Sequence, residues 1–322
     1  MKVWRSIHGA EAVPAGTSTV VTIGNFDGVH LGHRHVLARA RGLAASLGRL
    51  SPLPVVAVTF DPHPLRVLAP AKAPSSLCSL ERRISLLRQH GADVVCVLAF
   101  DKEMAGWSPE DFVKRVLVGE LHAAAVVVGE NFRFGSKAAG DVALLRREGE
   151  AHGFVVDGLQ LDGDVQPWSS TYVRSLIDQG DVDEAAHVLG RHHSLEGVVV
   201  EGHKRGREMG YPTANMPASK DEAVPADGVY AGYLRRLDDR SAPLPAAISV
   251  GTNPTFDGAE RVVESYVLDR TDLELYGAPV EVTFVALIRG QVKFTGMDDL
   301  VVQMAADVEQ TRHILAEGQT DR

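Results

Sequence analysis

The amino-acid sequence predicts an α/β protein in two parts, a doubly wound parallel sheet followed by a small β-barrel with a terminal helix. Three observations carry this. The first half alternates short β-branched runs with longer amphipathic stretches, as strands joined by crossover helices do. The second half spaces β-rich runs between turn-rich segments, as small barrels do. The last stretch, residues 297–316, returns to helical periodicity. At 322 residues the chain is long enough for two such cores.

Taken in order, strands are expected at 19–23, 55–60, 94–98 and 125–128, nearly continuous in apolar residues because both faces of a parallel sheet are covered. Helices are expected between them at 31–47, 80–90, 109–118 and 142–152. After Ser169 come a short helix through Ile177, a turn at Gln179-Gly180-Asp181 and a second helix to Leu189. A junction near 185–192 divides the chain into domains 1–186 and 187–322. Beyond it lie strand-like runs at 197–201, 228–234, 246–250, 261–268 and 280–287. In the final helix Leu300, Met304, Val308 and Ile314 can line one face.

Composition narrows the function classes. A net charge of −9 gives no general attraction for nucleic acid or an anionic membrane. Two cysteines, Cys78 and Cys96, are too few for a disulfide framework and suit a reducing cytoplasm. No apolar run of about 18 residues appears and residues 1–10 hold no apolar stretch, so neither a membrane span nor a signal peptide is expected.

The first chemical constellation is Gly24-Asn25-Phe26-Asp27-Gly28-Val29-His30-Leu31-Gly32-His33, which follows the first long strand and opens a helix. Ligands of open α/β sheets bind at such carboxyl strand ends. The glycines allow a sharp turn, and the helix N-terminus offers free N–H groups to a phosphate. His30 and His33, three apart, share one helix face. Three further segments sit at strand ends or helix starts: 59–64, with Phe60 and His63; 129–135, with Asn131 and Arg133; and 169–174, with Ser170, Thr171 and Arg174.

The second constellation is a basic glycine-rich loop, with Gly206, Arg207 and Gly210, leading into Tyr211-Pro212-Thr213-Ala214-Asn215. Pro212 fixes its own φ and presents Thr213 and Asn215 as oxygen donors on what reads as a rigid turn, and such hard ligands suit Mg²⁺. Downstream stand Asp227-Gly228-Val229-Tyr230-Ala231, then 251–256, then Val263-Glu264-Ser265-Tyr266.

The longer first string resembles the adenylyltransferase module of bifunctional riboflavin kinase/FAD synthetases, a branch of the HxGH nucleotidyltransferases. The second set, in its order and spacing, resembles riboflavin kinase. The resemblance covers nearly the whole chain. It implies an N-terminal nucleotidyltransferase domain and a C-terminal riboflavin kinase domain, converting riboflavin to FMN and FMN to FAD with ATP as co-substrate and Mg²⁺ as metal. It also implies roles. Glu264 is the kinase's catalytic base, while His30 and His33 serve adenylyl transfer. Gly24, Asn25, Phe26, Asp27, Ser170, Thr171 and Arg174 bind ATP there, and Phe60, His63, Asn131 and Arg133 bind flavin. In the kinase, Gly206, Arg207, Gly210, Pro212 and Tyr230 bind ATP or flavin, and Thr213 and Asn215 hold the metal. The partners implied are riboflavin, FMN, FAD and ATP, without nucleic acid or membrane; weak self-association is compatible with them.

Overall fold

The computed structural model describes residues 3–4, 16–160, 168–202, 210–239, 241–255, 258–294 and 296–320. The chain forms two compact units, one of residues 1–74 and 79–169, the other of 75–78 and 170–322. Each is described by itself below.

The first unit is built on six parallel strands: β1 (Val3–Trp4), β2 (Thr19–Ile23), β3 (Val55–Asp61), β4 (Val94–Ala99), β5 (Ala123–Gly129) and β6 (Val155–Leu159). Their order across the sheet is β1-β4-β3-β2-β5-β6. The chain runs from β2 outward through β3 and β4, then returns to the other side of β2 for β5 and β6. The direction of winding therefore reverses between β2 and β5, which opens a crevice at the carboxyl ends of those strands. Helices α1 (Leu31–Leu47), α2 (Pro64–Leu68), α3 (Leu80–Gln89), α4 (Lys102–Ala105), α5 (Pro109–Phe112) and α6 (Val142–His152) fill the connections.

Strand alternation divides the core between two helical layers. Val21, Ile23, Val56 and Val58 pack with Phe112, Leu117 and Leu145. Val20 and Val55 pack with Val36 and Ala40, and Ala57 and Val95 with Leu37, Ile84 and Leu87. Burying each of these Val or Leu side chains stabilises the fold by about 1.5–3 kcal/mol, so an Asp at Val21 or Val58 would unfold the unit. Caps set the helix starts: Ser79 Oγ accepts from the Arg82 N–H at 3.1 Å, and Asp141 Oδ1 from the Leu144 N–H at 2.8 Å. The helix expected over 109–118 is corrected. Only α5 is α-helical, and it widens at Val113 into a π-helical stretch to Glu120, which turns Val113, Val116 and Leu117 into the core.

The second unit opens with α7 (Ser170–Gln179) and α8 (Val182–Leu189), the latter capped by Asp181 and ended by Gly190 at φ +64°. Six antiparallel strands follow: β7 (His193–Val198), β8 (Thr213–Pro217), β9 (Gly228–Arg236), β10 (Leu244–Thr255), β11 (Gly258–Val267) and β12 (Pro279–Gly290). Their order is β7-β12-β9-β10-β11-β8. The outermost strands meet, since Val200, just past β7, forms an antiparallel bridge with Asn215 of β8. The sheet so curls into the expected barrel around Tyr230, Leu234, Ile248, Val263, Val280 and Phe284. The terminal helix α9 (Met297–Thr320) is present, although its buried face differs from the expected one. Asp307, Thr311 and Leu315 are buried, whereas Leu300, Met304, Val308 and Ile314 are half-buried. Polar residues can occupy that face because Arg289 of β12 holds Asp307 in a two-pronged ion pair at 2.9 and 2.6 Å. Among the described residues no helix is long and apolar enough to cross a membrane.

Candidate active sites

In the first unit the chain leaves β2 at Gly24 and turns tightly before α1. Phe26 (φ 48°) and Val29 (φ 43°) both sit in the left-handed region, as does Gly28 (φ 76°). For side-chain-bearing residues that conformation costs about 1–2 kcal/mol each, so the surroundings must impose it. They do so by burying Phe26, Asp27 and Val29 almost completely and by tying the turn to β3, where Thr59 Oγ1 donates to Asn25 O at 3.0 Å. Enforced strain of this kind marks functional loops. Gly32 sits where an added Cβ would press the His30 ring at 3.2 Å and the Trp168 carbonyl at 3.3 Å.

The turn delivers the two histidines together. Their rings stack at 3.7 Å with planes 22° apart, and the Phe26 ring meets His33 edge-on at 5.1 Å. Burial, then the neighbouring His30 and then Arg83 hold His33 well below the usual imidazole range. Two imidazoles in face contact cannot both carry a charge, so His33 is neutral near pH 7 and acts as a hydrogen-bonding group. Its Nδ1 is buried without a hydrogen-bond partner, a polar atom that a bound ligand can satisfy.

Beside this turn lies a cavity of about 400 Å³ at the carboxyl ends of β2 to β5. Its wall carries several aromatic side chains, with Phe60 and Phe100 edge-on at 5.9 Å and Phe132 and Phe134 stacked at 5.4 Å. Gly24 and Asn25 form its inner rim and Arg133 and Lys137 supply cations. Of the expected flavin residues, Phe60 and Arg133 line the cavity. His63 instead caps α2, with Nδ1 accepting from the Leu65 N–H at 3.2 Å and Nε2 lying 3.1 Å from the Asn25 amide. Asn131 is exposed and outside the lining. Sequence reasoning missed Phe100, whose signal was an aromatic just past the end of β4, Trp107, just past α4, and Arg83, a cation within the apolar stripe of α3.

In the second unit Ser170 and Thr171 form the first turn of α7, and Arg174 Nε donates to the Ser75 carbonyl at 2.6 Å. Thr213 and Asn215 are not on a turn: both lie on β8, whose ladder with β11 overrides the turn composition. Register places Asn215 directly opposite Glu264 and Thr213 opposite Tyr266. Cross-strand partners share a face, so all four side chains emerge on one side. Asn215 Nδ2 donates to Thr213 O and Oγ1 at 3.2 and 3.3 Å, which leaves Oδ1 as its outward acceptor. Tyr211 meets Tyr266 edge-on at 5.1 Å. A small cavity nearby, about 50 Å³, is lined by Pro212, Thr213, Ser265, Arg270 and Tyr276 among others. Gly210 has φ +85°. Tyr230 is fully buried, its hydroxyl donates to Ala226 O at 2.6 Å, and burial pushes that hydroxyl up to about 12. Gly206 and Arg207 lie outside the described residues.

The comparisons with known proteins agree with this division. Residues 13–171 match the family model for FAD synthetase and residues 189–315 that for riboflavin kinase. A bifunctional riboflavin kinase/FMN adenylyltransferase of Escherichia coli (strain K12) is 37% identical over 309 residues, 95% of this chain and 96% of that protein. One of Haemophilus influenzae is 35% identical, covering 97% of this chain and 98% of its own length. Among solved structures, a Streptococcus pneumoniae chain described as a macrolide-efflux protein superposes with a TM-score of 0.86 at 30% identity, covering 97% of this chain and 99% of its own. With a strained turn and an aromatic-walled cavity in one unit and a Glu264–Asn215 pair in the other, the chain belongs to the bifunctional riboflavin kinase/FMN adenylyltransferase family.

Proposed function

We propose that the chain phosphorylates riboflavin to FMN with the barrel unit and adenylylates FMN to FAD with the parallel-sheet unit, in the cytoplasm, with ATP and Mg²⁺ at both steps. The domains assigned to these activities are 1–186 and 187–322. The observation that carries the reading is the apposition, within one unit, of a cavity with aromatic side chains in its wall and a stacked pair of histidines at the switch point of a parallel sheet.

For adenylyl transfer, Phe60, Phe132 and Phe134 offer faces for an isoalloxazine ring, and Arg133 a cation for the FMN phosphate. An FMN phosphate oxygen attacks the α-phosphorus of ATP, the bond from that phosphorus to the bridging oxygen breaks, and pyrophosphate leaves with the electron pair. No protein nucleophile is needed; the chain positions the groups and stabilises charge. Neutral His33 donates to a phosphate oxygen, His30 does so beside it, and Gly24, Asn25, Phe26 and Asp27 shape the nucleotide's approach. The family resemblance adds Ser170, Thr171 and Arg174 as phosphate-holding residues, on the strength of motif order alone. Asn131 and His63 stay in the flavin set on the same ground.

For phosphoryl transfer, the Glu264 carboxylate takes the proton of the ribityl 5'-hydroxyl as its oxygen attacks the γ-phosphorus of ATP, and ADP leaves. Thr213 Oγ1 and Asn215 Oδ1 are hard oxygen donors on the Glu264 side of β8, which fits Mg²⁺ held jointly with phosphates rather than by a protein cage. Thr213 and Asn215 would hold the ion, which would supply positive charge to offset that of the phosphates. Gly206, Arg207, Gly210 and Pro212 complete this set.

Incubating the chain with riboflavin, ATP and Mg²⁺ and resolving the flavins over time tests the proposal. FMN followed by FAD is expected, and nothing on addition of a chelator. Riboflavin that stays unchanged in folded protein overturns it.

A further inference from the structure

Arg83 is a charged side chain in the wrong place for an ordinary helix residue. It stands in the inner stripe of α3 with Leu80, Ile84 and Leu87, and only 6% of it is exposed. Among the described residues no carboxylate lies within ion-pair distance of it. A guanidinium has five N–H donors, and here two acceptors are met: Nη1 donates to Thr59 Oγ1 at 3.4 Å and to the Phe60 carbonyl at 3.2 Å. Nε is buried without a hydrogen-bond partner.

Burying a cation without an opposite charge is strongly unfavourable. Position supplies a reason for it. Thr59, which accepts from Arg83, passes its own proton to Asn25 O, so Arg83, Thr59 and the strained turn form one hydrogen-bonded chain. Phe60, the other acceptor, is a wall of the aromatic cavity. The same charge lies close enough to His33 to disfavour its protonated form. The guanidinium is therefore fixed behind the turn where the histidines sit, in a dry place where its field is little screened.

We infer that Arg83 is a positioning residue for adenylyl transfer, a buried positive charge that draws the β- and γ-phosphates of ATP onto the turn and offsets the charge that develops as pyrophosphate leaves. This rests on the reading of the first unit as the adenylyltransferase. It acts through the field at the turn and through Thr59 and Asn25, with no contact to substrate required. The anion it expects is the triphosphate, and in its absence the charge is uncompensated.

The test uses the full chain with Arg83→Gln, which keeps donors for Thr59 and Phe60, and Arg83→Lys, which keeps the charge. FAD formation from FMN and Mg²⁺-ATP is measured, with FMN formation from riboflavin in the same samples as a reference for the other unit. Removing one preorganised charge of this kind lowers kcat/KM for ATP by roughly 100-fold. That loss is expected for Gln, with recovery of at least roughly tenfold in Lys and an unchanged KM for FMN. Equal losses in Gln and Lys point to packing alone and overturn the inference, as does Gln at the wild-type rate. His30→Ala/His33→Ala is run alongside. If it loses FAD formation while Arg83→Gln keeps it, only this inference falls; if both keep it, the site reading falls as well. Should Arg83→Gln lose its native circular dichroism, binding of pyrophosphate to Arg83→Lys decides: affinity near wild type supports the charge, and loss of affinity in the folded variant overturns it.

Discussion

In the parallel-sheet unit the proposed site is built mainly from segments at strand ends, whereas in the barrel the proposed pair Glu264 and Asn215 comes from the faces of strands. The first arrangement borrows backbone: a strained turn, a helix start and two stacked rings held by burial. The second borrows register, since Glu264 and Asn215 are brought together by a ladder that fixes every pair along β8 and β11. A loop site tolerates changes in the sheet but depends on each turn residue. A register site does the reverse, because a one-residue slip would send Glu264 to the opposite face.

The contrast can be broken most sharply at Glu264. Glu264→Gln is expected to slow FMN formation by about 10³-fold, within the range of general-base removal, while FAD formation from supplied FMN stays unchanged; loss of both reactions in folded protein would show that the two sites are not independent. Next in size, His30→Ala/His33→Ala should slow FAD formation by roughly 10²–10³-fold and let FMN accumulate, read by flavin chromatography.

A third effect is on stability and belongs to the barrel. Burial lowers His193 to about 4, against the neighbouring Ala223 carbonyl that accepts from its Nε2 at 2.7 Å. The unfolded chain, titrating near 6.5, takes up the proton first. The barrel's stability is therefore full above pH 6.5 and falls as the pH drops toward 4, by roughly 3 kcal/mol in all. A barrel unfolding transition that does not move between pH 7 and 4 contradicts this. The smallest effect sharpens the loop side: Phe132→Ala should raise the KM for FMN roughly tenfold, in line with losing one aromatic face, with little change in kcat.

What was legible in the sequence follows the same divide. β2, β3 and β4 announce themselves as nearly continuous apolar runs because helices cover both their faces, and α1 and α6 keep their expected bounds. β6 was missed: Val155-Val156-Asp157-Gly158-Leu159 lies at the sheet edge, half wet, and shows no periodicity. β8 was missed because Pro212-Thr213-Ala214-Asn215 has turn composition, and only the partner strand makes it extended. The histidine turn was readable from its glycine framework and the order of the motif rather than from spacing alone, and His30 stands extended at the cap before α1 rather than on the helix. Arg83 was not, because Glu81-Arg82-Arg83 reads as a solvated helix face until the stripe Leu80, Ile84, Leu87 is drawn through it. The burial of Tyr230 was not legible either, because an aromatic beside a motif does not show in sequence that its ring fills the core.

The bridge between Val200 and Asn215 joins barrel closure to ligand capture. The Val200 N–H donates to Asn215 O at 2.8 Å across the seam, so the residue whose side chain is proposed to grip the metal also holds the two edges with its backbone. Occupancy and closure are then thermodynamically linked: a nucleotide complex that fixes Asn215 pins the seam, and a frayed seam weakens the nucleotide's hold. The Val200 amide should act as an occupancy gauge, exchanging its hydrogen with solvent more slowly once Mg²⁺-ADP is bound.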